Sequence, residues 1–141
     1  MEKTSVLIVD DTEQILSALK RELRDEPYNL LLATSGQEAL KILSEHKCKV
    51  IVSDVKMPKM NGFELLGAVK DDYPEMIRVV LSGHCDVKLI LKLVNENGID
   101  RYLTKPWNTT DVKMTIRQCI ELFDLKQEVH SYREQLKIEA V

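Results

Sequence analysis

Short apolar runs alternate along this chain with longer stretches in which apolar residues recur every three or four positions. The first run, Val6-Leu7-Ile8-Val9, is closed by Asp10-Asp11, and Ile15, Leu16, Leu19 and Leu23 follow at helical spacing. Asp11 or Thr12 is placed to cap that helix. Tyr28-Asn29-Leu30-Leu31-Leu32-Ala33 reads as a second strand. Ser35 can cap the next helix, which carries Ala39, Leu40, Ile42 and Leu43, with Glu38 at the capping-box position. Val50-Ile51-Val52 is closed by Ser53-Asp54, and a loop with Pro58 and Gly62 leads to a helix bearing Phe63, Leu65, Leu66 and Val69. The run from Ile77 to Leu81 is closed by Ser82-Gly83, and the helix with Val87, Ile90, Leu91 and Val94 ends near Gly98, a suitable C-cap. The fifth strand covers Arg101 to Thr104, closed by Lys105-Pro106. A last helix starts near Thr109 or Thr110 and runs nearly to the end.

This pattern is five strand–helix units. Several strands are apolar at consecutive positions, as expected when helices cover both faces of a sheet. Such alternation predicts a parallel sheet with right-handed crossovers. The expected architecture is a flavodoxin-like (βα)5 three-layer α/β sandwich with strand order 2-1-3-4-5.

Composition narrows the functional classes. A chain of 141 residues with a net charge of −3 has no global preference for nucleic acid or an anionic membrane. Its three cysteines, Cys48, Cys85 and Cys119, form no C-x-x-C pair, which argues against a disulfide framework or zinc site and for a reducing cytoplasm. There is no signal-peptide pattern and no apolar run long enough to span a bilayer. Asn108-Thr109-Thr110 fits a glycosylation acceptor, but in a cytoplasmic chain it is more simply a helix-start signal. The chain has no phosphate-binding G-x-x-x-x-G-K-[ST] loop, no dinucleotide G-x-G-x-x-G, no G-x-S-x-G elbow and no basic stripe for DNA.

The reactive polar residues fall at strand ends. Asp10 and Asp11 follow strand one, Asp54 strand three, Ser82 strand four and Lys105 strand five. A parallel sheet brings all these ends to one edge, where the strand order reverses and ligands bind. Three crowded carboxylates repel one another unless a cation sits among them, and oxygen ligands in a small site suit Mg²⁺. Lys105 adds a fixed positive charge and Ser82 a hydroxyl. A carboxylate nucleophile among such positive centres suits phosphoryl transfer. Any one of these residues alone would be a helix cap, a turn residue or a surface charge.

The chain resembles the response-regulator receiver family of two-component signal transduction from about Ser5 to Phe123. The likeness rests on Val6-Leu7-Ile8-Val9-Asp10-Asp11, Val52-Ser53-Asp54-Val55-Lys56-Met57-Pro58, Asn61-Gly62, Leu81-Ser82-Gly83 and Tyr102-Leu103-Thr104-Lys105-Pro106. The resemblance implies that Asp54 accepts a phosphoryl group from the phosphohistidine of a sensor histidine kinase. It implies Mg²⁺ (or Mn²⁺) held by Asp10, Asp11, Asp54 and the Lys56 backbone carbonyl. Ser82 and Lys105 would contact the phosphoryl oxygens, and Ser82 stands where Thr is commoner. Tyr102 would be the aromatic switch residue, and the Lys105–Pro106 peptide is expected to be cis. In that family the positions of Lys56 and His84 influence how fast the phosphate is lost, although His84 reads more simply as an exposed loop histidine. The rival readings are a non-phosphorylated adaptor receiver and a phosphatase with an aspartyl nucleophile. The latter usually carries a second acid where Lys56 stands, so no turnover of a separate substrate is expected.

The last helix has two apolar phases. Val112, Ile116, Ile120 and Phe123 are expected to face the sheet, while Leu122, Leu125, Val129, Tyr132 and Leu136 follow a heptad seam among charges. The chain thus divides into residues 1–124, the receiver, and 125–141, a helical extension. The extension is either a charged tail or a coiled-coil linker to an output domain fused downstream. A homodimer would use helix four, strand five and helix five, or this C-terminal helix. His46 and His130 are expected to be exposed, and Trp107 to pack at the edge of strand five.

Overall fold

Alternate side chains of each inner strand leave the sheet on opposite sides, and each set meets its own helices. In β1 (Ser5–Val9), Val6 and Ile8 join one apolar core and Leu7 and Val9 the other. The first core takes Leu16, Leu19 and Leu23 of α1 (Glu13–Leu23) and Val112, Ile116, Cys119 and Phe123 of α5 (Thr109–Glu139). The second takes Ala39 and Leu43 of α2 (Gly36–Glu45) and Leu65, Leu66 and Val69 of α3 (Gly62–Asp72). This is the three-layer sandwich expected of consecutive apolar strands. The structure, a computed structural model, describes residues 4–83, 87–96 and 98–139.

The remaining strands are β2 (Asn29–Ala33), β3 (Val50–Ser53), β4 (Ile77–Ser82) and β5 (Arg101–Thr104), and α4 covers Val87–Glu96. All pairings are parallel and the order is β2-β1-β3-β4-β5, as the pattern predicted. The inner strands β1, β3 and β4 are buried throughout, whereas β2 and β5 at the edges are partly exposed. No helix among the described residues is long and apolar enough to cross a membrane.

Local signals account for most boundaries. Ser35 accepts from the Glu38 amide, but the Glu38 carboxylate turns to the Thr34 hydroxyl at 3.0 Å, so only half of the expected capping box forms. The full box is at α3, where Asn61 and Glu64 bond each other's amides. Thr12 is the N-cap of α1, yet its side chain accepts no cap bond; the Asp10 carboxylate takes the Thr12 amide instead at 2.9 Å. Asn108 opens α5 by accepting from the Asp111 amide at 3.2 Å, which bears out the helix-start reading. Gly98 follows α4 with φ of 61°, a left-handed C-terminal conformation.

One burial departs from the sequence reading and another was not read from it. Cys119, not Ile120, is sealed in the α5 seam, and Ile120 is only half-buried beside it. Arg78, the second residue of the inner strand β4, is also buried. Its guanidinium donates to the carbonyls of Met76, Gly98 and Pro74 at 3.1, 3.0 and 3.4 Å, and its amide donates to Asp100 at 2.9 Å. These bonds close the entry to β5 and satisfy a charge that an apolar strand could not otherwise hold. His46 and His130 are exposed, as expected.

Candidate functional site

Strand register places the acids side by side. Val9 pairs with Ser53, and the Asp54 amide donates to the Val9 carbonyl at 3.0 Å, so Asp10 and Asp54 leave adjacent strands at the same level. Ser82 pairs with Thr104, and the Lys105 amide donates to the Ser82 carbonyl at 3.0 Å. Lys105 therefore emerges beyond β5 and reaches back over the carboxyl edge. Its ammonium lies 2.7 Å from Asp10 Oδ2 and 3.3 Å from Asp54 Oδ2. The Lys105–Pro106 peptide is cis, as expected.

Each acid is held differently. Asp10 is only 2% exposed, with Oδ1 on the Thr12 amide and Oδ2 on Lys105. Asp54 is buried too; its Oδ1 accepts from the Val55 amide at 2.8 Å, leaving Oδ2 toward Lys105. Asp11 is exposed at the rim. Burial pushes the Asp54 carboxyl above its ordinary pKa; the Lys105 charge and the Val55 amide oppose this, and Asp10 reinforces it.

Carboxylate oxygens of Asp10, Asp11 and Asp54 lie within 4.8 Å of one another. The Lys105 ammonium pairs with two of these three carboxylates, which leaves excess negative charge in a partly desolvated corner. An all-oxygen donor set with that excess fits a hard divalent cation such as Mg²⁺. Beside it, Asp54, Lys56, Ser82, Gly83 and Lys105 line an open depression. Lys56 is exposed on this depression, Ser82 is buried at the end of β4, and Tyr102 is half-buried with its hydroxyl 3.4 Å from the Ser82 carbonyl. The sequence-named residues Asp10, Asp11, Asp54, Lys56, Ser82, Lys105 and Tyr102 thus converge. His84 lies outside the described residues.

Three features of the site were not read from the sequence. The Thr12 and Val55 amides orient the two buried acids, and no side-chain pattern marks a backbone donor. Gly62 packs so closely under Asp54 that a Cβ there would sit 2.1 Å from the Asp54 carbonyl oxygen. Glu22 of α1 holds the loop after Lys105, accepting from Trp107 Nε1 at 2.8 Å and the Thr109 hydroxyl at 2.6 Å. Trp107 packs against the α1–α5 core, so its edge-packing role is joined by a polar anchor.

Residues 6–117 match the model of the response regulator receiver domain, and the chain belongs to that family. It is 38% identical over 128 residues to the hydrogenase transcriptional regulatory protein HoxA of Cupriavidus necator, covering 91% of this chain and 26% of that protein. It is 31% identical over 130 residues to a putative response regulator, NtrX-like, of Rickettsia felis, covering 91% and 27%. The chain therefore spans about a quarter of the length of these curated relatives. Among solved structures it is similar to the signal receiver domain of an HD domain-containing protein from Pseudomonas fluorescens Pf-5. That match has a TM-score of 0.83 and 35% identity over 87% of this chain and 98% of that one.

Proposed function

We propose that Asp54 is the phosphoacceptor of this receiver, taking the phosphoryl group from the phosphohistidine of a sensor histidine kinase. The observation that carries the reading is the arrangement around Asp54: one carboxylate oxygen is pinned by the Val55 amide, the other faces Lys105 at 3.3 Å, and the depression opens beside it. The Asp54 oxygen attacks phosphorus as the bond to the histidine nitrogen breaks. Lys105 moves from pairing with the Asp10 and Asp54 carboxylates to pairing with a phosphoryl oxygen. Asp10, Asp11, Asp54 and the Lys56 carbonyl would hold Mg²⁺ or Mn²⁺, which would supply charge neutralisation at the phosphoryl oxygens. Ser82 offers its hydroxyl to another of those oxygens. Tyr102, already reaching the Ser82 carbonyl, follows the movement of β4. Lys56 and His84 set the rate at which water removes the phosphate. Turnover is limited to the chain's own phosphoaspartate.

The switch then biases a surface rather than a reaction. Leu91 and Val94 of α4 and Met114 of α5 are exposed apolar residues on the two helices nearest β5 in the chain, and they are suited to partner contacts. The two relatives described above are about three and a half times as long as this chain, and one is named a transcriptional regulator; this supports a receiver that governs an output module beyond residues 125–141.

The test is a titration with beryllofluoride and Mg²⁺, read by the fluorescence of Trp107, the one tryptophan of the chain. A saturable, Mg²⁺-dependent change is expected, with acetyl phosphate producing one phosphate per chain, both lost in Asp54→Asn. A wild-type chain that neither responds nor becomes phosphorylated would overturn the proposal and favour a surface adaptor.

A further inference from the structure

Beyond the point where α5 leaves the domain, the helix keeps an apolar stripe that nothing else in the described chain covers. Phe123 is the last α5 residue sealed in the core, and the Gln127 amide still meets Glu75. From Glu128 to Glu139 every residue is exposed. Leu122 is half-buried against the core, so the free seam begins one step later than the sequence suggested. Leu125, Val129, Tyr132 and Leu136 are 58%, 48%, 64% and 48% exposed. Every intervening position from Lys126 to Lys137 is polar. A helical segment of about a dozen residues is marginal in water unless its apolar face is packed. Its own side-chain bonds, Lys137–Glu134 at 3.3 Å and Gln135–Glu139 at 3.5 Å, are exposed and weak.

We propose that a second copy of this chain covers the stripe, forming a parallel, in-register two-stranded coiled coil over residues 125–136. Charge selects this occupant and this direction. With Leu125 and Tyr132 at d and Val129 and Leu136 at a, the flanking g and e positions are Glu121 with Lys126, then Glu128 with Arg133. In a parallel pair each g residue faces the e residue five places on in the other helix. Glu121 then meets Lys126 of the second copy, and Glu128 meets Arg133 of the second copy. An antiparallel pair would set Glu against Glu and base against base. Residues five apart do not face each other within one helix. Among the described residues, the Glu128 and Arg133 side chains have no ion-pair or hydrogen-bond partner. A β-branched residue at a with Leu at d, as in Val129 and Leu125, suits two strands.

The experiment is analytical ultracentrifugation of the 141-residue chain without phosphodonor or Mg²⁺, so its outcome is independent of the phosphoacceptor reading. Concentration-dependent dimers are expected between roughly 10 µM and 1 mM, the range of a small interface. Glu128→Arg and Arg133→Glu should each weaken dimerisation by about tenfold, and the double reversal should restore it. Val129→Cys, in a Cys85→Ser background, should cross-link to its own copy on oxidation. All the substituted α5 residues are exposed, so the domain's melting temperature reports that folding is intact. A chain monomeric up to about 1 mM overturns the proposal. So does a dimer indifferent to both charge reversals, as association through α4 would be, or a double reversal that fails to restore affinity.

Discussion

Replacing Gly62 by alanine tests whether the floor of the site is as tightly built as its geometry implies. The added Cβ would lie 2.1 Å from the Asp54 carbonyl oxygen, 2.8 Å from Val55 Cα and 3.0 Å from the Asp54 carbonyl carbon. All three atoms are backbone. The carbonyl oxygen is already tied by the Ser53 hydroxyl at 2.8 Å, and the Gly62 amide donates to Val55 at 2.8 Å. Relief to an ordinary carbon–oxygen contact needs about 1 Å of separation between α3 and the segment carrying Asp54. Overpacking of this kind costs about 1–3 kcal/mol, offset by a few tenths to 1 kcal/mol from the stiffer unfolded chain. The net loss is about 1–2 kcal/mol, or roughly 3–8 °C in Tm for a chain of this size. A displacement near 1 Å at the nucleophile should also slow phosphorylation by acetyl phosphate on the order of 10- to 100-fold. Gly83→Ala is the control. Among the described residues its Cβ would meet only Lys105 Cβ, at 3.9 Å, so stability should hold or rise by up to about 1 kcal/mol. Thermal melts and phosphorylation time courses of the two variants decide the matter. A Gly62→Ala protein that melts within about 2 °C of wild type and phosphorylates normally would refute the reasoning.

Other perturbations probe the charges. The Asp54 carboxyl is raised by burial, so its contribution to stability is present at low pH and lost as pH rises through its folded-state pKa. Asp54→Asn should therefore raise the metal-free Tm at pH 7, and the gain should vanish at the acid end of a pH series. Lys105→Met removes the ammonium 2.7 Å from buried Asp10; the metal-free Tm should fall by an amount on the order of 1–3 kcal/mol, with Asp10→Asn in the same chain recovering most of it. Burial pushes the Cys48 and Cys119 thiols up to about 11. At most one of the three cysteines should then react with a thiol reagent at pH 8 in the native chain, and all three in denaturant; two or more fast native thiols would contradict the packing. Glu22→Gln should change the emission of Trp107, whose indole it holds at 2.8 Å, while an unchanged spectrum would show that the bond does not persist in solution.

Much of the site was legible because strand ends are marked locally. Asp10, Asp54 and Ser82 each end an apolar run and Lys105 follows the fifth strand, and topology alone brings such ends together. Arg78 was harder to read. A single arginine within Ile77–Leu81 looks like an edge position, and only the carbonyls of Pro74, Met76 and Gly98, gathered from two segments, make its burial tolerable. The Glu38 and Thr12 caps failed for a related reason: Thr34 and Asp10 are local competitors whose reach depends on backbone direction.

The sequence by itself determined the strand–helix alternation, the parallel sheet and the identity of the polar residues along its carboxyl edge. These follow from periodicity and from the short-range chemistry of strand ends. Only the tertiary structure decided how those residues are held. Register sets Val9 beside Ser53, backbone amides of Thr12 and Val55 orient the acids, and Lys105 spans Asp10 and Asp54. The absence of a side chain at Gly62 lets α3 close beneath Asp54. Such contacts join residues distant in the chain through backbone atoms that every amino acid shares, so no pattern of side chains records them.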